Sequence, residues 1–567
     1  MLNTQEVIEQ HFPKVAQNKL LNKPTTAVLK RLLCEKEIND FTAQYPHFVG
    51  FDFVEQVLEY FSFGYSVSDN HRERIPQSGR LVIVANHPIG SLDGLALIKL
   101  IRETRNDIKV IANDMLMAID ALHDILLPVN NMSGSTKKEN LQNIDLHLQN
   151  EGVVIIFPAG EVSRLRPQGI RDTKWHTGFL RIAKANQSPI LPVFIDAKNS
   201  PLFYGVSMLF KPAATALLVK QMWHQKEKSI PMKIGEVIPH EGYAGLKLSL
   251  KEQVKLFKRH LYRLAKNKSP LMPTQAAIAL PEDRRLLVKA FEHEAEMLGK
   301  TGDGKSIFLF RYQQGSVIMR ELGRLREITF RAVGEGTNKR RDIDKFDKDY
   351  YHLVLWDEKD LEIAGAYRFG HVKGIQDVNK LYSSSLFDYN DQMEKYLVNG
   401  LELGRSFVQK KYWGKRSLDY LWQGLGAFVR KHPEFRYLFG PVSISNRYPN
   451  TAIELIAAFY SNYFPAKETV AAPKIQYAVS TETINTFKHL AYKEGFALLK
   501  SLLAEMGVTV PTLYKQYAET YKPGGVSFSA FNVDPDFEYC VDGLIVADLE
   551  MLTDKKRKRY LTPQEST

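Results

Sequence analysis

The sequence predicts an α/β fold divided into two large domains, and three observations support this prediction. Apolar, β-branched runs at 81–85, 153–157 and 190–195 alternate with helical patterns, as expected for strands covered by helices. A Pro-containing stretch with little periodicity follows. Beyond it a second set of strand and helix patterns begins, and 567 residues are too many for a single core. The predicted regions are an N-terminal helical region at 1–50, a first domain at 51–268, a linker at 269–282 and a second domain at 283–567.

The composition, 44% hydrophobic and 25% charged, is that of an ordinary globular protein. Cys34 and Cys540 lie far apart without metal-ligand spacing, which fits a reducing cytoplasm and gives no reason to expect a metal. No apolar run reaches the roughly 20 residues that a membrane-spanning helix needs, and the N-terminus lacks a signal-peptide pattern. We therefore expect a cytoplasmic protein that is peripheral on the inner face of the cytoplasmic membrane.

The net charge of +12 at pH 7 indicates an anionic partner. No nucleic acid is expected, because the chain has no zinc-finger spacing, RNA-recognition signature or basic–aromatic platform. The remaining candidate partners are an anionic membrane surface and an acidic protein.

The segment 246–266 predicts an amphipathic helix with a basic face. Its apolar stripe is formed by Leu250, Val254, Phe257, Leu261 and Leu264, and its basic residues are Lys251, Lys255, Lys258, Arg259 and Arg263. Such a helix can lie in a membrane interface, or it can cover the domain core with its basic face in water, and the sequence leaves both open. A second apolar stretch at 208–223 can enter lipid.

The turn after the first apolar run, 86–94, reads Asn-His-Pro-Ile-Gly-Ser-Leu-Asp-Gly. A histidine in a strand-to-helix turn can accept a proton while a nearby carboxylate fixes its tautomer. His87 and Asp93 are therefore candidates for a catalytic pair. The alternative is a loop histidine with a helix-capping aspartate.

The second run leads into Phe-Pro-Ala-Gly-Glu-Val-Ser-Arg at 157–164, and the third contains Leu-Pro-Val at 191–193. These blocks, over roughly 50–240, resemble the glycerolipid acyltransferases, with a closer likeness to a bacterial subgroup often labelled hemolysin-like. The resemblance implies that His87 is the general base and that Asp93 orients it. It further implies substrate contacts from Asn86, Gly160, Glu161 and Arg164. Two departures are a five-residue His–Asp gap and Ala159 in the place of a usual Glu, whose role Glu161 can partly take.

In the second domain, strand patterns occur near 307–310, 351–356, 362–369 and 437–444, and helical patterns near 283–299, 315–330, 391–410 and 417–431. Four polar clusters lie among them, at 326–330, 344–347, 365–368 and 402–407. Their order resembles the acyl-homoserine-lactone synthases, which implies a GNAT-like α+β fold and acyl transfer to an amino-acid amine. Several short segments are more similar still to the ornithine lipid N-acyltransferases. These segments are 334–337, 381–382, 402–408, 440–445 and 542–544.

Acylation of an α-amine requires that the amine lose a proton, and Glu402 is the candidate acceptor. The carboxylate of an amino acid can be bound by an arginine fork. The candidate substrate-binding residues of this domain are Arg326, Phe330, Asp344, Asp347, Arg368 and Arg405, with the two aspartates as partners for the side-chain ammonium of ornithine. Without the resemblance, Asp344 and Asp347 are an exposed charged turn, and Glu402 with Arg405 a local ion pair.

The segment 423–427, Gln-Gly-Leu-Gly-Ala, resembles the GNAT pyrophosphate loop but equally fits a closely packed helix. The related families use acyl carrier protein, which lacks that nucleotide, and this favours the helix. We accordingly expect no resident cofactor, with an acyl carrier protein thioester as co-substrate.

The whole chain resembles the fused, bifunctional ornithine lipid synthases of bacteria. The resemblance implies that the C-terminal domain joins a 3-hydroxyacyl group to the α-amine of ornithine, and that the N-terminal domain esterifies the 3-hydroxyl of this lysolipid. Alternatives are the same reactions on another amino acid such as glycine, or a lysophospholipid acyltransferase with another acceptor. A pore-former is disfavoured because the sequence offers no spanning run. A membrane-binding protein with inactive sites is disfavoured because His87, Asp93, Glu402 and Arg405 are all present.

Overall fold

The computed structural model describes residues 26–27, 30, 34–90, 92–113, 119–129, 138–209, 211–375 and 377–562. The chain divides into two compact units between Ala277 and Ile278. This division lies inside the segment for which the sequence predicts a linker.

The strands of the first unit are β1 Gly64–Ser66, β2 Leu81–Ala85, β3 Ile108–Asn113, β4 Leu126–Val129, β5 Val153–Ile156, β6 Arg164–Arg166, β7 Gly169–Arg171, β8 Ile190–Ile195 and β9 Ser229–Ile234. Its helices are α1 Glu35–Gln44, α2 Gly50–Tyr60, α3 Asp69–Arg72, α4 Leu92–Arg102, α5 Lys138–Gln149, α6 Gly178–Ala185, α7 Pro201–Leu209, α8 Lys211–Trp223, α9 Glu241–Ala244 and α10 Leu250–Leu264. Seven strands form one sheet in the order β1-β9-β8-β2-β5-β3-β4. All neighbouring pairs are parallel except β8 with β9.

The centre of this sheet is covered on both faces, as its apolar runs predict. Every residue of β2 is buried. Leu81, Ile83 and Ala85 enter one hydrophobic cluster, whereas Val82 and Val84 enter another. Because side chains alternate along a strand, the two clusters lie on opposite faces of the sheet. The three predicted strands at 81–85, 153–157 and 190–195 are confirmed, and the turns after β2 and β5 meet at the same edge of the sheet because these strands are parallel.

The basic helix α10 packs against the core of the first unit. Val254, Phe257 and Leu261 of its apolar stripe are buried in one cluster with β2 and β5 residues. The interpretation of α10 as a helix that covers the domain core is therefore confirmed. The prediction that its apolar stripe enters a membrane is wrong, because protein covers that stripe. Lys251, Lys255 and Arg259 remain exposed on the outer face.

The second apolar stretch forms α7 and α8, with Phe210 outside the described residues. Leu202 and Met208 on α7 are 67% and 72% exposed. Within the described parts of the chain, no helix is long and apolar enough to cross a bilayer.

The strands of the second unit are β10 Ala295–Lys300, β11 Lys305–Arg311, β12 Tyr351–Asp357, β13 Glu362–Gly370, β14 Phe387–Tyr389, β15 Gly400–Val408, β16 Tyr437–Ile444, β17 Ala471–Pro473, β18 Val526–Asp534 and β19 Cys540–Asp548. Its helices are α11 Arg284–Glu294, α12 Val317–Val333, α13 Val372–Ile375, α14 Glu394–Val398, α15 Ser417–Lys431, α16 Asn450–Tyr463, α17 Thr481–Asn485, α18 Tyr492–Glu505, α19 Thr512–Thr520 and α20 Asp554–Leu561. Eight strands form a sheet in the order β10-β11-β12-β13-β15-β16-β19-β18. All neighbours are antiparallel except β15 with β16.

Two helix predictions in this unit are wrong. The predicted helix at 391–410 ends as α14 at Val398 and gives way to strand β15, which pairs with β13 on one side and β16 on the other. The predicted helix at 283–299 ends at Glu294, and residues 295–300 pair with β11. In both cases pairing with distant strands outweighs local helical preference.

Helix α15 includes the segment 423–427, so the helical interpretation is confirmed and the pyrophosphate loop is not formed. A Cβ added at Gly424 would lie 2.7 Å from Cγ2 of Ile307 and 2.9 Å from Cδ1 of Leu353. The glycine is therefore required by the close approach of the helix to the sheet.

Candidate active sites

The first site is the turn between β2 and α4, where His87 meets Asp93. Nδ1 of His87 lies 3.1 Å from Oδ2 of Asp93. The Asp93 carboxylate, fully buried at the start of α4, also accepts hydrogen bonds from the amides of Ile89, Gly90 and Gly94 at 3.0–3.1 Å. These three donors hold the carboxylate as an anion aimed at the imidazole.

Two opposing effects act on the imidazole. Burial alone would lower the pKa of His87, but the charge and hydrogen bond of Asp93 outweigh it and raise that pKa. The pKa of Asp93 is lowered, because His87 and the main-chain donors overcome the effect of burial. With Nδ1 engaged, Nε2 is the nitrogen that can accept a proton, and the side chain is 18% exposed, enough to meet a substrate.

The imidazole is fixed in a second direction by Phe157, whose ring centroid lies 4.3 Å away. Asn86 is buried at the end of β2. The side-chain nitrogen of Asn86 donates to the Ile195 carbonyl, and its side-chain oxygen accepts from the main-chain amide of Ile195, both at 2.8 Å. Asn86 thus ties the end of β2 to the end of β8, which corrects its assignment as a substrate-binding residue.

Asp172 is a residue of this site that sequence reasoning missed. Its Oδ1 accepts from the His87 amide at 3.3 Å and from the Ser163 hydroxyl at 2.6 Å, and its Oδ2 accepts from Trp175 at 2.8 Å. Ser163 in turn donates its amide to the His87 carbonyl at 2.7 Å. Asp172 therefore joins the turn after β2 to the turn after β5. No local pattern marks it, because it lies 85 residues from His87.

The remaining predicted residues of this half lie in the turn after β5. Gly160 is exposed and its amide closes the turn on the Phe157 carbonyl at 3.0 Å. Arg164 is buried, with its guanidinium 2.6 Å from the Ser207 hydroxyl and 3.4 Å from Glu161. These protein groups engage the guanidinium, and the substrate contact expected of Arg164 stays a prediction. Glu161 is half-buried beside it and open to solvent on one side.

The second site is a cavity of about 90 Å³ in the second unit, where two strands diverge. The parallel strands β15 and β16 pair only from Gly400 to Glu402. Beyond that point the residues 403–406 and 440–443 line opposite walls of the cavity. Gly440 permits the approach, since a Cβ there would lie 2.3 Å from the Leu403 carbonyl oxygen.

Three arginines and three aspartates form a buried cluster beside this cavity. Arg326 donates to Asp347 at 2.7 Å, and its other terminal nitrogen lies 3.0 Å from Nδ1 of His352. Arg368 donates to Asp344 at 2.7 Å and to Asp347 at 3.1 Å. Arg326, Arg368, Asp344 and Asp347 are therefore ion-paired with one another in this structure, and their roles in binding substrate stay predictions. Neighbouring arginines hold the pKa of Asp347 far below its usual range against the effect of burial.

Arg405 differs from the other two arginines because it lines the cavity. Its Nε lies 3.0 Å from Asp342, and a terminal nitrogen lies 3.4 Å from Asp344. The guanidinium packs over the ring of Tyr382 at 4.8 Å and that of Phe537 at 4.6 Å. Arg405 also has a φ of +49°, which is unusual for a residue with a side chain and consistent with a functional constraint. Phe330 lines the same cavity as an apolar wall.

Glu402, predicted as the proton acceptor of this half, is enclosed by protein. It is 1% exposed and lies outside the cavity lining. Its carboxylate accepts from the hydroxyl of Tyr350 and from the amides of Tyr382 and Ser383. Burial raises the pKa of Glu402. Its hydrogen bonds fix the segment at 382–383, and its role as a proton acceptor stays a prediction.

Two other carboxylates, Glu335 and Asp542, do line the cavity. Burial and the nearby Asp542 raise the pKa of Glu335 to about 8. Burial and Asp534 raise the pKa of Asp542 to about 7. A carboxylate with a pKa near neutrality is matched to proton transfer at physiological pH. Both residues lie within segments that resemble the ornithine lipid N-acyltransferases, but neither occurs in a pattern that specifies a role.

Two family profiles match the chain. The profile described as Acyltransferase covers residues 7–269, and that described as Acetyltransferase (GNAT) domain covers residues 325–423. The first range contains the His87–Asp93 turn, and the second contains the strand β15 that lines the cavity.

Relatives named as N-acyltransferases and as an O-acyltransferase match the chain. A glycine N(alpha)-acyltransferase of Bacteroides thetaiotaomicron is 31% identical over 51% of this chain and 87% of its own length. A lyso-glycine lipid O-acyltransferase of the same organism is 27% identical over 43% of this chain and 90% of its own length. An L-ornithine N(alpha)-acyltransferase of Agrobacterium fabrum is 31% identical over 29% of this chain and 59% of its own length. The chain therefore belongs to this family of aminolipid acyltransferases, with an O-acyltransferase-like α/β domain followed by a GNAT-like N-acyltransferase domain.

Proposed function

We propose that the chain makes a diacylated amino-acid lipid in two steps, with ornithine as the acceptor. The GNAT-like unit first transfers a 3-hydroxyacyl group to the α-amine and forms an amide. The acyltransferase unit then transfers a second acyl group to the 3-hydroxyl of that product and forms an ester. The observation that carries this proposal is the presence, in one chain, of a His–Asp pair suited to activating a hydroxyl and a cavity suited to an amino acid.

The charges in the cavity support ornithine over glycine. Its lining contains one arginine, Arg405, and two carboxylates, Glu335 and Asp542. Glycine offers one carboxylate and one amine, whereas ornithine offers one carboxylate and two amines. Because a buried charge is costly unless it is paired, the extra carboxylate favours the acceptor with the extra ammonium. The relatives that match over most of their length are named for glycine, so glycine is the second candidate.

In the O-acylation step, Nε2 of His87 takes the proton of the 3-hydroxyl as its oxygen attacks the thioester carbonyl. Asp93 keeps the imidazole in the tautomer that leaves Nε2 free and stabilises the imidazolium that forms. The imidazolium then returns the proton to the leaving sulfur. Asp172 maintains the separation of the two turns on which the reacting groups meet.

We propose acyl carrier protein as the acyl donor for both steps, without a resident cofactor. The net charge of +12 favours an acidic carrier and an anionic bilayer alike. A lysolipid with one acyl chain is held only marginally by a bilayer, so we further propose that the protein works as a peripheral protein at the inner face of the cytoplasmic membrane. Lys251, Lys255 and Arg259 on α10 and the exposed apolar side chains of α7 are candidates for this contact.

A competition experiment tests the acceptor. Purified protein receives a 3-hydroxyacyl thioester of acyl carrier protein with equal concentrations of isotopically distinct ornithine and glycine, and mass spectrometry measures the amide products. We expect N-acyl ornithine to dominate. Dominant N-acyl glycine would reject ornithine while retaining the two-step scheme, and the absence of any N-acylated amino acid would reject the scheme.

A further inference from the structure

Amide formation at the cavity requires a group that accepts a proton from the ammonium form of the amine. Most carboxylates around the cavity are already committed. Asp342, Asp344 and Asp347 face arginines, and Glu402 is enclosed. Three further carboxylates line the cavity or lie beside it: Asp534, Asp542 and Glu335.

Two of these are also held in place. Asp534 accepts from the Tyr382 hydroxyl at 3.0 Å and from the Asp536 amide at 2.9 Å. Asp542 is 2% exposed and accepts from the Ser443 hydroxyl at 2.8 Å. In this position Asp542 can pair with a cation. Because it is buried, it exchanges protons with solvent less readily than an exposed carboxylate would.

Glu335 is different. It follows Gly334, which ends α12, and its amide donates to the Phe330 carbonyl at 2.8 Å, so the main chain is fixed. Its side chain lines the cavity and is only half-buried. Across the described ranges, no side-chain or main-chain donor is recorded on its carboxylate. Glu335 is thus available to substrate on one side and to water on the other.

We propose that Glu335 is the proton acceptor of the N-acylation reaction, an inference that rests on the proposed function. Glu335 removes one proton from the α-ammonium, and the freed nitrogen lone pair attacks the thioester carbonyl carbon. As the C–N bond forms, the carbonyl electrons move to oxygen. Their return breaks the C–S bond, and the second proton of the nitrogen passes to the departing sulfur. The products are the amide, the thiol and one proton, which Glu335 releases to water.

The charged groups that face Glu335 set the pH range in which it can accept a proton. Burial and Asp542 raise its pKa to about 8, while Arg405 opposes them. Its charge is also felt by Tyr448 and Cys540. Since the carboxylate is protonated below its pKa and free above it, the N-acylation rate should rise with pH between about 7 and 9.

Two neighbouring charged groups do not replace Glu335. Glu327 is occupied by Arg331 at 2.7 Å and by the Thr337 hydroxyl at 2.6 Å. Arg447, which lies against Gly334, donates to main-chain carbonyls of α12.

The test compares Glu335→Gln with Glu505→Gln, which removes the same charge from an exposed position of α18. N-acylation is measured from pH 6 to pH 10 with a 3-hydroxyacyl thioester of acyl carrier protein and the amino acid that the wild-type protein prefers. We expect Glu335→Gln to lower kcat by about 10²–10⁴-fold, with a much smaller change in KM for the amino acid. The rise between pH 7 and pH 9 should disappear, and Glu335→Asp should restore part of the rate.

Circular dichroism and thermal denaturation of the same purified variant report its folding, and its O-acylation activity should be unchanged because His87 lies in the other unit. An unchanged kcat and pH profile in Glu335→Gln would overturn the inference. So would an equal loss of both activities in Glu335→Gln that Glu335→Asp does not relieve. If the wild-type protein acylates no amino acid, the proposed function fails instead, which separates the two results.

Discussion

Oδ2 of Asp93 lies 3.1 Å from Nδ1 of His87, and the amides of Ile89, Gly90 and Gly94 hold the same carboxylate. The carboxylate is therefore an anion before the reaction begins and needs no reorganisation as the imidazole becomes charged. This relationship makes His87 a base whose tautomer is fixed by Asp93.

Asp93→Asn should change the pH dependence of O-acylation. Asp93 raises the pKa of His87, so in the wild-type protein the neutral, active imidazole appears only at higher pH. Without that charge the His87 pKa falls, and the rising limb of the O-acylation profile should move to lower pH. Its plateau should be lower because the tautomer is no longer fixed. A pH–rate profile of kcat/KM measures both effects, and an unmoved limb would contradict the pairing.

Asp172→Ala should lower both the stability of the first unit and its activity. The change leaves the Ser163 hydroxyl and the Trp175 indole N–H without their acceptor, and we expect a cost of about 1–3 kcal/mol in the free energy of unfolding. Urea denaturation followed by Trp fluorescence measures it. Asp172→Asn retains an acceptor oxygen and should lie between alanine and wild type. If Asp172→Ala and Asp172→Asn behave like the wild-type protein in both stability and O-acylation, Asp172 does not hold the two turns together.

Arg326→Met should destabilise the second unit without a specific catalytic effect. The substitution leaves Asp347 buried with only one of its two arginine partners, Arg368. Breaking a buried ion pair costs about 3–5 kcal/mol. The loss should shrink at low pH, because the depressed pKa of Asp347 contributes stability that disappears as pH falls through its folded value. Denaturation at neutral and at acid pH measures this, and a loss independent of pH would contradict it.

The basic face of α10 should bind anionic vesicles through charge alone. Replacing Lys251, Lys255 and Arg259 with Gln should remove about 1 kcal/mol per charge near the surface. Lys258 and Arg263 are poorer targets because they donate to main-chain carbonyls. Vesicle sedimentation and O-acylation on vesicles should both fall, while N-acylation in solution persists. Equal sedimentation of variant and wild-type protein would show that another surface makes the contact.

The sequence was informative where a role depends on neighbours in the chain. His87 and Asp93 lie in one turn, and β2, β5 and β8 are marked by continuous apolar runs, which are typical of buried strands. The amphipathic pattern of α10 specifies a helix with one apolar face, but not whether protein or lipid covers that face.

The roles of Asp172, Glu335 and Asp542 depend on contacts between distant segments, and no local pattern records them. The guanidinium groups of Arg326 and Arg368 suit a substrate carboxylate, yet the fold places aspartates of the same protein against them. Glu402 lies in a recognisable motif, but only the pairing of β15 with distant strands shows that it is buried.

The central claim is that one chain carries both acylation steps, and lipid mass spectrometry tests it most directly. Wild-type protein and His87→Ala are expressed in a bacterial host that makes no aminolipids, with His47→Ala, an exposed histidine of the same unit, as control. We expect diacylated amino-acid lipid from the wild type and the control. His87→Ala should accumulate the mono-acylated 3-hydroxyacyl amino acid, because removing a general base slows its own step by about 10²–10⁴-fold and leaves the other step intact. Diacylated product at wild-type level from His87→Ala, or no aminolipid from the wild type, would contradict the account.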